Sequence, residues 1–421
     1  MKNKAAKSPP PRKEPPPRAL TLDVLPVTWW VATGAQTVGL CVDEHVWTGN
    51  VLGEVLCLDR ATGTSVREMK VPAECVAVSS DERWKYAGCA DGNVYDLTGD
   101  VPRAVYRLEG ERVDWLEVFQ GTLCVSDHAG TVTVIDVDGN VRWQHRDPEA
   151  REAWVLRADE DGLYHGSYVG LRKYDWSGER LWHKNVGDVR YGCIEGDTIA
   201  VTSGFYTRSS QTELLLIDRE TGKTRWKKSP SMDVRSGFQS NGGEAVGVGR
   251  NAAGELRYYV SVGAWVFCYD GDGLLRWQAP TRCQSLCNLQ VDGELLYFAS
   301  NNGTIGCADV SERGLQLVQS GADVLPKARR QARVKDRDAQ VERVRSNPHG
   351  GVVVECVRQG DALRMRVASK GYNREWFCQF PHDLREEGAR YVVDEVREAK
   401  QGGFYRVLGT IRRLVTDGNE R

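Results

Sequence analysis

The sequence predicts a mainly β protein: a seven-bladed β-propeller over residues 20–322, followed by a small α+β domain over residues 350–416. Two observations lead to this fold class. One short segment recurs at a nearly constant spacing, and the chain between its copies consists of short apolar runs separated by glycine. Six or eight blades remain possible, because residues 20–31 could close the ring by completing the last blade.

The recurring segment is clearest at Asp136-Val-Asp-Gly-Asn-Val-Arg-Trp143. In the complete copies a tryptophan follows four residues after the glycine, and the Asp, Gly and Trp positions are Asp136, Gly139 and Trp143; Asp175, Gly178 and Trp182; Asp218, Gly222 and Trp226; and Asp270, Gly273 and Trp277. Copies without the tryptophan begin at Asp59, Asp96 and Asp309. The seven aspartates are separated by 37, 40, 39, 43, 52 and 39 residues. A period near forty indicates a repeat architecture.

Each repeat is predicted to form four short strands. Around Asp136 the apolar runs cover residues 113–119, 122–125, 131–135 and 141–143, with turns between them. The aspartate can accept bonds from backbone N–H groups two residues on, and the glycine supplies the positive φ of the turn. A four-stranded unit cannot bury both of its faces alone. Radial stacking buries them, and the tryptophan on the outer strand is expected to dock against a neighbouring blade.

The segment Leu216-Ile-Asp-Arg-Glu-Thr-Gly-Lys-Thr-Arg-Trp226 resembles the signature of PQQ-like (quinoprotein-type) propeller repeats. The resemblance extends over residues 25–322 and implies the propeller architecture, whereas function has to be argued from sites. WD-repeat propellers are less similar, because the chain contains neither a Gly-His nor a Trp-Asp dipeptide.

The flanking segments have a different composition. Residues 1–19 are rich in proline and lysine and are predicted to be a disordered tail, without the apolar core of a signal peptide. Residues 323–349 are predicted to be a basic linker, and 417–421 a second disordered tail. Twelve cysteines without an export signal are expected to be reduced, which favours a cytoplasmic location. No run of apolar residues is long enough for a membrane span.

The second domain is predicted to combine strands with one helix. Strands are expected over 363–367, 376–380, 404–408 and 411–415. Asp383 and Glu386 have the spacing of a capping box, and the apolar residues that follow predict a helix that ends before Gly402. Trp376, Tyr405, Arg412 and Arg413 are candidates for an interaction surface in this domain, although packing roles suit them as well.

No catalytic residue, cofactor site or metal site is predicted. The pairs Asp136/Asp138 and Asp270/Asp272 resemble calcium loops but lack the spacing of an EF-hand, and Cys283 and Cys287 lack a second ligand pair. The resemblance implies two periplasmic relatives. PQQ-dependent dehydrogenases use adjacent cysteines, which are absent here, and the outer-membrane assembly lipoprotein needs a lipid-bearing cysteine near its start.

These observations favour a non-enzymatic scaffold that binds protein partners within a bacterial cytoplasmic assembly. Two alternatives stay open. The axial cavity of the propeller could bind a small molecule as a sensor, or the basic linker and C-terminal domain could contact nucleic acid. A net charge of −2 gives no global reason to expect nucleic acid or membrane, and we do not expect PQQ to bind.

Overall fold

A computed structural model describes residues 19–81, 83–109, 111–147, 149–203, 212–230, 245–283, 285–321, 329–330, 343–344, 351–360, 362–381, 384–399 and 403–414. The predicted tails, and most of the predicted basic linker, lie outside these residues. The chain divides into two compact units, Met1–Arg329 and Arg330–Arg421.

The described residues of the first unit form short strands and one helix. The strands are β1 (Leu20–Thr21), β2 (Val27–Ala32), β3 (Thr37–Val42), β4 (His45–Asn50), β5 (Glu54–Asp59), β6 (Ser65–Lys70), β7 (Cys75–Asp81), β8 (Trp84–Cys89), β9 (Asn93–Asp96), β10 (Arg103–Arg107), β11 (Val113–Phe119), β12 (Thr122–Asp127), β13 (Thr131–Ile135), β14 (Val141–Arg146), β15 (Val155–Asp159), β16 (Gly162–Ser167), β17 (Gly170–Tyr174), β18 (Arg180–Lys184), β19 (Val189–Glu195), β20 (Thr198–Ser203), β21 (Glu213–Asp218), β22 (Thr224–Lys228), β23 (Val246–Arg250), β24 (Leu256–Val262), β25 (Trp265–Asp270), β26 (Leu275–Pro280), β27 (Leu286–Asp292), β28 (Leu295–Ser300), β29 (Thr304–Asp309) and β30 (Arg329–Arg330). The helix α1 spans Glu312–Gln319.

These strands form seven sheets whose blades are antiparallel, with β1 added in parallel to β26 at the edge of one of them, which confirms the seven-bladed propeller. Blades 1 to 6 start at β3, β7, β11, β15, β19 and β23, and each takes four consecutive strands. Blade 7 has the order β27-β28-β29-β2, with β30 beyond β2. The early strand β2 therefore supplies the outer strand of the last blade, and the pairing of Trp29 with Cys307 closes the ring.

The burial pattern follows from the position of each strand in its blade. In blade 3 every residue of β13 is buried, whereas β14 is almost wholly exposed apart from Trp143. Apolar side chains of neighbouring blades share common clusters, and Val94, Leu116 and Leu163 of blades 2, 3 and 4 belong to one of them. This burial between blades is the main favourable contribution to the ring.

Two features of the propeller differ from the sequence analysis. The long spacing between Asp218 and Asp270 suggests an enlarged loop near residues 251–254, but the extra residues lie at 229–245, between blades 5 and 6. Helix α1 is unpredicted, because its eight residues are too few to show a helical period. Ser311 caps it by accepting a bond from the Gly314 amide at 3.1 Å.

The second unit is a small closed sheet. Its strands are β31 (Arg343–Val344), β32 (Val352–Gln359), β33 (Ala362–Val367), β34 (Phe377–Gln379), β35 (Arg390–Glu398) and β36 (Phe404–Leu414). The order is β31-β36-β34-β33-β32-β35, and pairing of β35 with β36 closes it. Val354, Val393 and Tyr391 are among the buried side chains that fill it.

The prediction of a helix after Asp383 is wrong, and Asp383 itself, the predicted N-cap, lies outside the described residues. Residues 390–398 form strand β35, and the two strands predicted within 404–415 are one strand, β36. Val392 and Val396 have helical spacing, but Val393 is equally buried and the run Tyr391-Val-Val is β-branched and aromatic, which suits a strand. The positive φ of Gly409 accommodates an irregularity within β36 that looked like a break between strands.

Candidate interaction surfaces

The repeated aspartates accept bonds inside their own turns. Asp136 Oδ1 accepts from the amides of Asp138 at 3.0 Å and Asn140 at 2.8 Å. The carboxylates of the six remaining repeats also accept a hydrogen bond from a backbone amide of their own turn, at Asp59, Asp96, Asp175, Asp218, Asp270 and Asp309. The hydrogen bond from the backbone amide of Asn140 lowers the pKa of Asp136, so the carboxylate is ionised at neutral pH.

The repeated tryptophans contact the turn of the next blade. The indole Nε1 of Trp182 in blade 4 donates to the backbone carbonyl of Arg219 at 3.0 Å, and the indole ring lies on Gly222. A β-carbon at Gly222 would come within 3.0 Å of that ring, so glycine is needed there for packing as well as for its positive φ. In the same way, the indole of Trp143 donates to the backbone carbonyl of Trp176 at 3.2 Å, and that of Trp226 donates to the carbonyl of Gly271 at 2.9 Å. In each case the acceptor is the residue after the turn aspartate.

Strand register defines this docking position in all seven blades. Its residue pairs with the position two before the turn aspartate, and in blades 1 to 7 it is Arg67, Tyr106, Trp143, Trp182, Trp226, Trp277 and Trp29. Sequence reasoning missed three of these residues. Trp29 stands far from its turn in sequence because β2 closes the ring, and blades 1 and 2 have other residue types.

In blades 7, 1, 6 and 2 the residue at the docking position makes other contacts. Trp29 of blade 7 donates to the Arg60 carbonyl at 2.8 Å, the same position of the blade 1 turn. Arg67 of blade 1 replaces the indole with a guanidinium that donates to the Leu97 carbonyl at 3.2 Å. Trp277 is buried, and the turn it faces at Asp309 leads into α1. Tyr106 of blade 2 makes no docking bond in the described part of the chain.

A second arrangement lies at one end of the ring, where the inner strands of blades 3, 4 and 5 begin. The guanidinium carbons of Arg112 and Arg190 lie 6.0 and 5.2 Å from the ring centre of Trp154. We call these three residues the Arg–Trp–Arg cluster. Arg112, Trp154 and Asp188 each directly precede an inner strand, so aligning the repeats by strand start would have brought them together.

Buried carboxylates hold both arginines of the cluster. Arg112 Nε bonds to Asp114 at 2.8 Å, and Arg190 Nε bonds to Asp188 at 2.9 Å. Burial raises the pKa of Asp114 and of Asp188, and their arginine partners act against this rise. Both guanidinium groups are therefore fixed in place beside Trp154, a geometry that favours cation–π attraction.

Comparisons with known proteins agree with the repeat geometry. The family model described as outer membrane protein assembly factor BamB matches residues 27–228. The chain is a PQQ-like β-propeller repeat protein. Among solved structures, BamB from Moraxella catarrhalis is 17% identical with a TM-score of 0.46, covering 64% of this chain and 82% of that one.

Two further structures are similar to the PQQ-like chain. The computationally designed Ika8 protein is 13% identical with a TM-score of 0.48, covering 69% of this chain and 99% of its own. The WD40 propeller domain of Doa1 is 14% identical with a TM-score of 0.53, covering 70% and 99%. At 14% identity the Doa1 domain shows the fold alone. No curated protein matches the chain.

The axis of the PQQ-like propeller holds an internal ion pair. Arg157 Nη1 lies 3.0 Å from Glu117 Oε2, its Nε donates to the Gly192 carbonyl at 2.7 Å, and its guanidinium lies over Trp115. Burial raises the pKa of Glu117. These groups satisfy one another, and the sequence has no adjacent cysteines, so the residues do not fit bound PQQ.

The twelve cysteines of the PQQ-like chain are all free, and ten are buried. Burial raises the pKa of Cys287 to about 12. Within the described ranges no three His, Cys, Asp or Glu side chains are grouped as metal ligands would be, and no helix has the length and apolarity to cross a bilayer.

The four candidate residues of the C-terminal unit have different surroundings. Tyr405 is a core residue whose hydroxyl accepts from the Asn373 amide at 2.8 Å, and Trp376 packs on it with ring centres 5.2 Å apart. Arg412 and Arg413 pair with different carboxylates, Asp394 and Glu386.

Proposed function

We propose that the protein is a non-catalytic scaffold that binds a partner protein through the Arg–Trp–Arg cluster. The observation that carries this proposal is a tryptophan held between two fixed guanidinium groups at one end of the ring. Tryptophan and arginine are the residue types that contribute most to protein interfaces. Because Asp114 and Asp188 already hold the two arginines, little side-chain entropy would be lost on binding.

The charge of the cluster favours a protein over a nucleic acid. Its two arginines are balanced by two buried aspartates, whereas binding to phosphates draws on a net excess of basic groups. Arg112 keeps its terminal nitrogens without a hydrogen bond among the described residues, and its side chain is 38% exposed. A carboxylate on the partner is the group that fits Arg112 best.

The proposal includes a cytoplasmic location within a multi-protein assembly. Free thiols throughout the propeller support a reducing compartment. The pairing of Glu117 with Arg157 leaves neither group poised for acid–base chemistry, which supports a non-catalytic role. The small-molecule alternative has no comparable support, because the axial groups bond to one another.

Co-purification from the source cells tests the proposal. Wild-type protein should carry a stoichiometric partner, and Trp154→Ala should weaken that complex roughly 30-fold, as expected for loss of an interface residue contributing about 2 kcal/mol. The exposed Leu181, on the outer strand of the same blade, provides a matched control as Leu181→Ala. A protein that elutes alone, or equal binding by both variants, would rule the proposal out.

A further inference from the structure

The turn of blade 3 is the one regular docking turn that no side chain of the chain covers within the described residues. A β-carbon placed at Gly139 would have nothing within 4 Å, whereas at Gly178, Gly222 and Gly273 it would meet a tryptophan ring at 3.0–3.1 Å. The Val137 carbonyl, which stands at the acceptor position, receives no bond in the described part of the chain. We call Val137, Gly139 and their turn the open docking site.

The open site results from the residue at the docking position of blade 2. Register places Tyr106 there, opposite Val94, after a turn that is longer than in the other blades. Tyr106 packs at the edge of the apolar cluster of blades 2 to 4 and does not reach Gly139. The blade 3 turn is nevertheless built like the filled ones, with Asp136 accepting its amides and Gly139 at positive φ.

Exposed apolar side chains are concentrated on the outer hairpins of the two blades that this site concerns. Of the eight large hydrophobic residues that are exposed in the described part of the chain, four belong to the outer hairpins of blades 2 and 3: Val101, Val105, Val137 and Val141. Val137 is 56% exposed. Single exposed hydrophobic residues are ordinary, but a group at one interface marks a surface that another molecule covers.

The blade 6 turn shows what such a site binds. Its sequence Asp270-Gly-Asp-Gly273 matches Asp136-Val-Asp-Gly139 in the positions of both carboxylates. Trp226 docks on it from the segment Thr-Arg-Trp-Lys-Lys, residues 224–228, and Lys228 lies beside Gly273. Lys228 thus accompanies the tryptophan onto a turn with two aspartates, whereas Arg225 and Lys227 pair with carboxylates of blade 5. Opposite charges near a contact favour the correct pairing.

We propose that the open docking site binds a tryptophan of a partner protein that is followed, two positions later, by a basic residue. The indole would donate to the Val137 carbonyl and its ring would cover Gly139, as Trp226 does at blade 6. This inference deepens the proposed scaffold function and rests on it only in making the occupant a protein. It concerns the outer rim and not the Arg–Trp–Arg cluster.

A peptide with the sequence of residues 224–228, fluorescently labelled, is the direct probe. Fluorescence anisotropy should show saturable binding to the full-length protein, and replacing the peptide's tryptophan by alanine should weaken binding at least tenfold. Tyr106→Trp should fill the site from within and weaken peptide binding at least tenfold. Val137→Lys, at an exposed position, is a second blocking variant should Tyr106→Trp fail to fold, because its positive charge would repel the basic peptide.

Three results would overturn the inference. These are no saturable binding, equal binding by wild type and by folded Val137→Lys, and a concentration-dependent dimer in sedimentation that Val137→Lys abolishes, which would make a second copy the occupant. Trp154→Ala should bind the peptide like wild type. Failure of the proposed function at the Arg–Trp–Arg cluster can therefore be distinguished from failure of this inference.

Discussion

Trp182 allows the docking interaction to be measured at a single contact. Replacement by alanine removes the indole bond to the Arg219 carbonyl, the ring contact with Tyr164 at 6.0 Å between centres, and the cover over Gly222. We assign about 1 kcal/mol to the bond, about 1 kcal/mol to the aromatic pair and about 1–2 kcal/mol to burial of a half-buried ring. Trp182→Ala should therefore lower the free energy of unfolding by about 3–4 kcal/mol.

A phenylalanine at the same position separates the bond from the packing. The Arg219 carbonyl also accepts from Lys173 Nζ at 3.3 Å, so it keeps a donor when the indole is lost. Trp182→Phe should accordingly cost only about 1 kcal/mol. Equilibrium urea unfolding followed by far-UV circular dichroism gives all three values, with Leu181→Ala as the control expected within about 0.5 kcal/mol. If Trp182→Ala costs no more than Leu181→Ala, the docking account of the ring is wrong.

Three further predictions follow from buried groups. Burial lowers the pKa of His165 to about 3 from an ordinary 6.5, so only the unfolded chain binds this proton as the pH falls. The free energy of unfolding should therefore decrease by about 1 kcal/mol between pH 7 and 5.5. In urea titrations His165→Asn should remove this pH dependence, whereas the exposed-site control His183→Asn should keep it. Arg157→Met should cost about 3–5 kcal/mol by leaving Glu117 buried without its partner, and adding Glu117→Gln should restore much of the loss, so simple additivity in the double-mutant cycle would refute the pairing. A thiol reagent at pH 8 should react with twelve cysteines in denaturant but only slowly in the native protein, because burial raises the pKa values of Cys41 and Cys287 to about 12; rapid native reaction of most thiols would contradict the packing.

The sequence predicts the propeller well because its repeat is local. Asp136, Gly139 and Trp143 lie within one hairpin, so their spacing survives in every complete copy. Trp29 was beyond reach because its turn partner in blade 7 is at the other end of the propeller chain. Arg67 was beyond reach because a guanidinium replaces the expected indole.

The C-terminal unit shows the opposite case. The spacing of Leu384, Val392 and Val396 suits a helix. The segment nevertheless forms strand β35, because it pairs with β36 over eight residue pairs. The local periodicity of a sequence does not show which strands will pair in the tertiary structure. The Arg–Trp–Arg cluster likewise joins three blades, so no single stretch of sequence contains it.

Photo-cross-linking from the face of the propeller tests the scaffold claim most directly. A benzophenone amino acid in place of His128, which neighbours Asp114 and is 44% exposed, should give one discrete protein adduct in cells of the source organism. The same amino acid in place of Leu181 on the outer rim should not give that adduct. No adduct at His128, or identical adducts at both positions, would contradict the account.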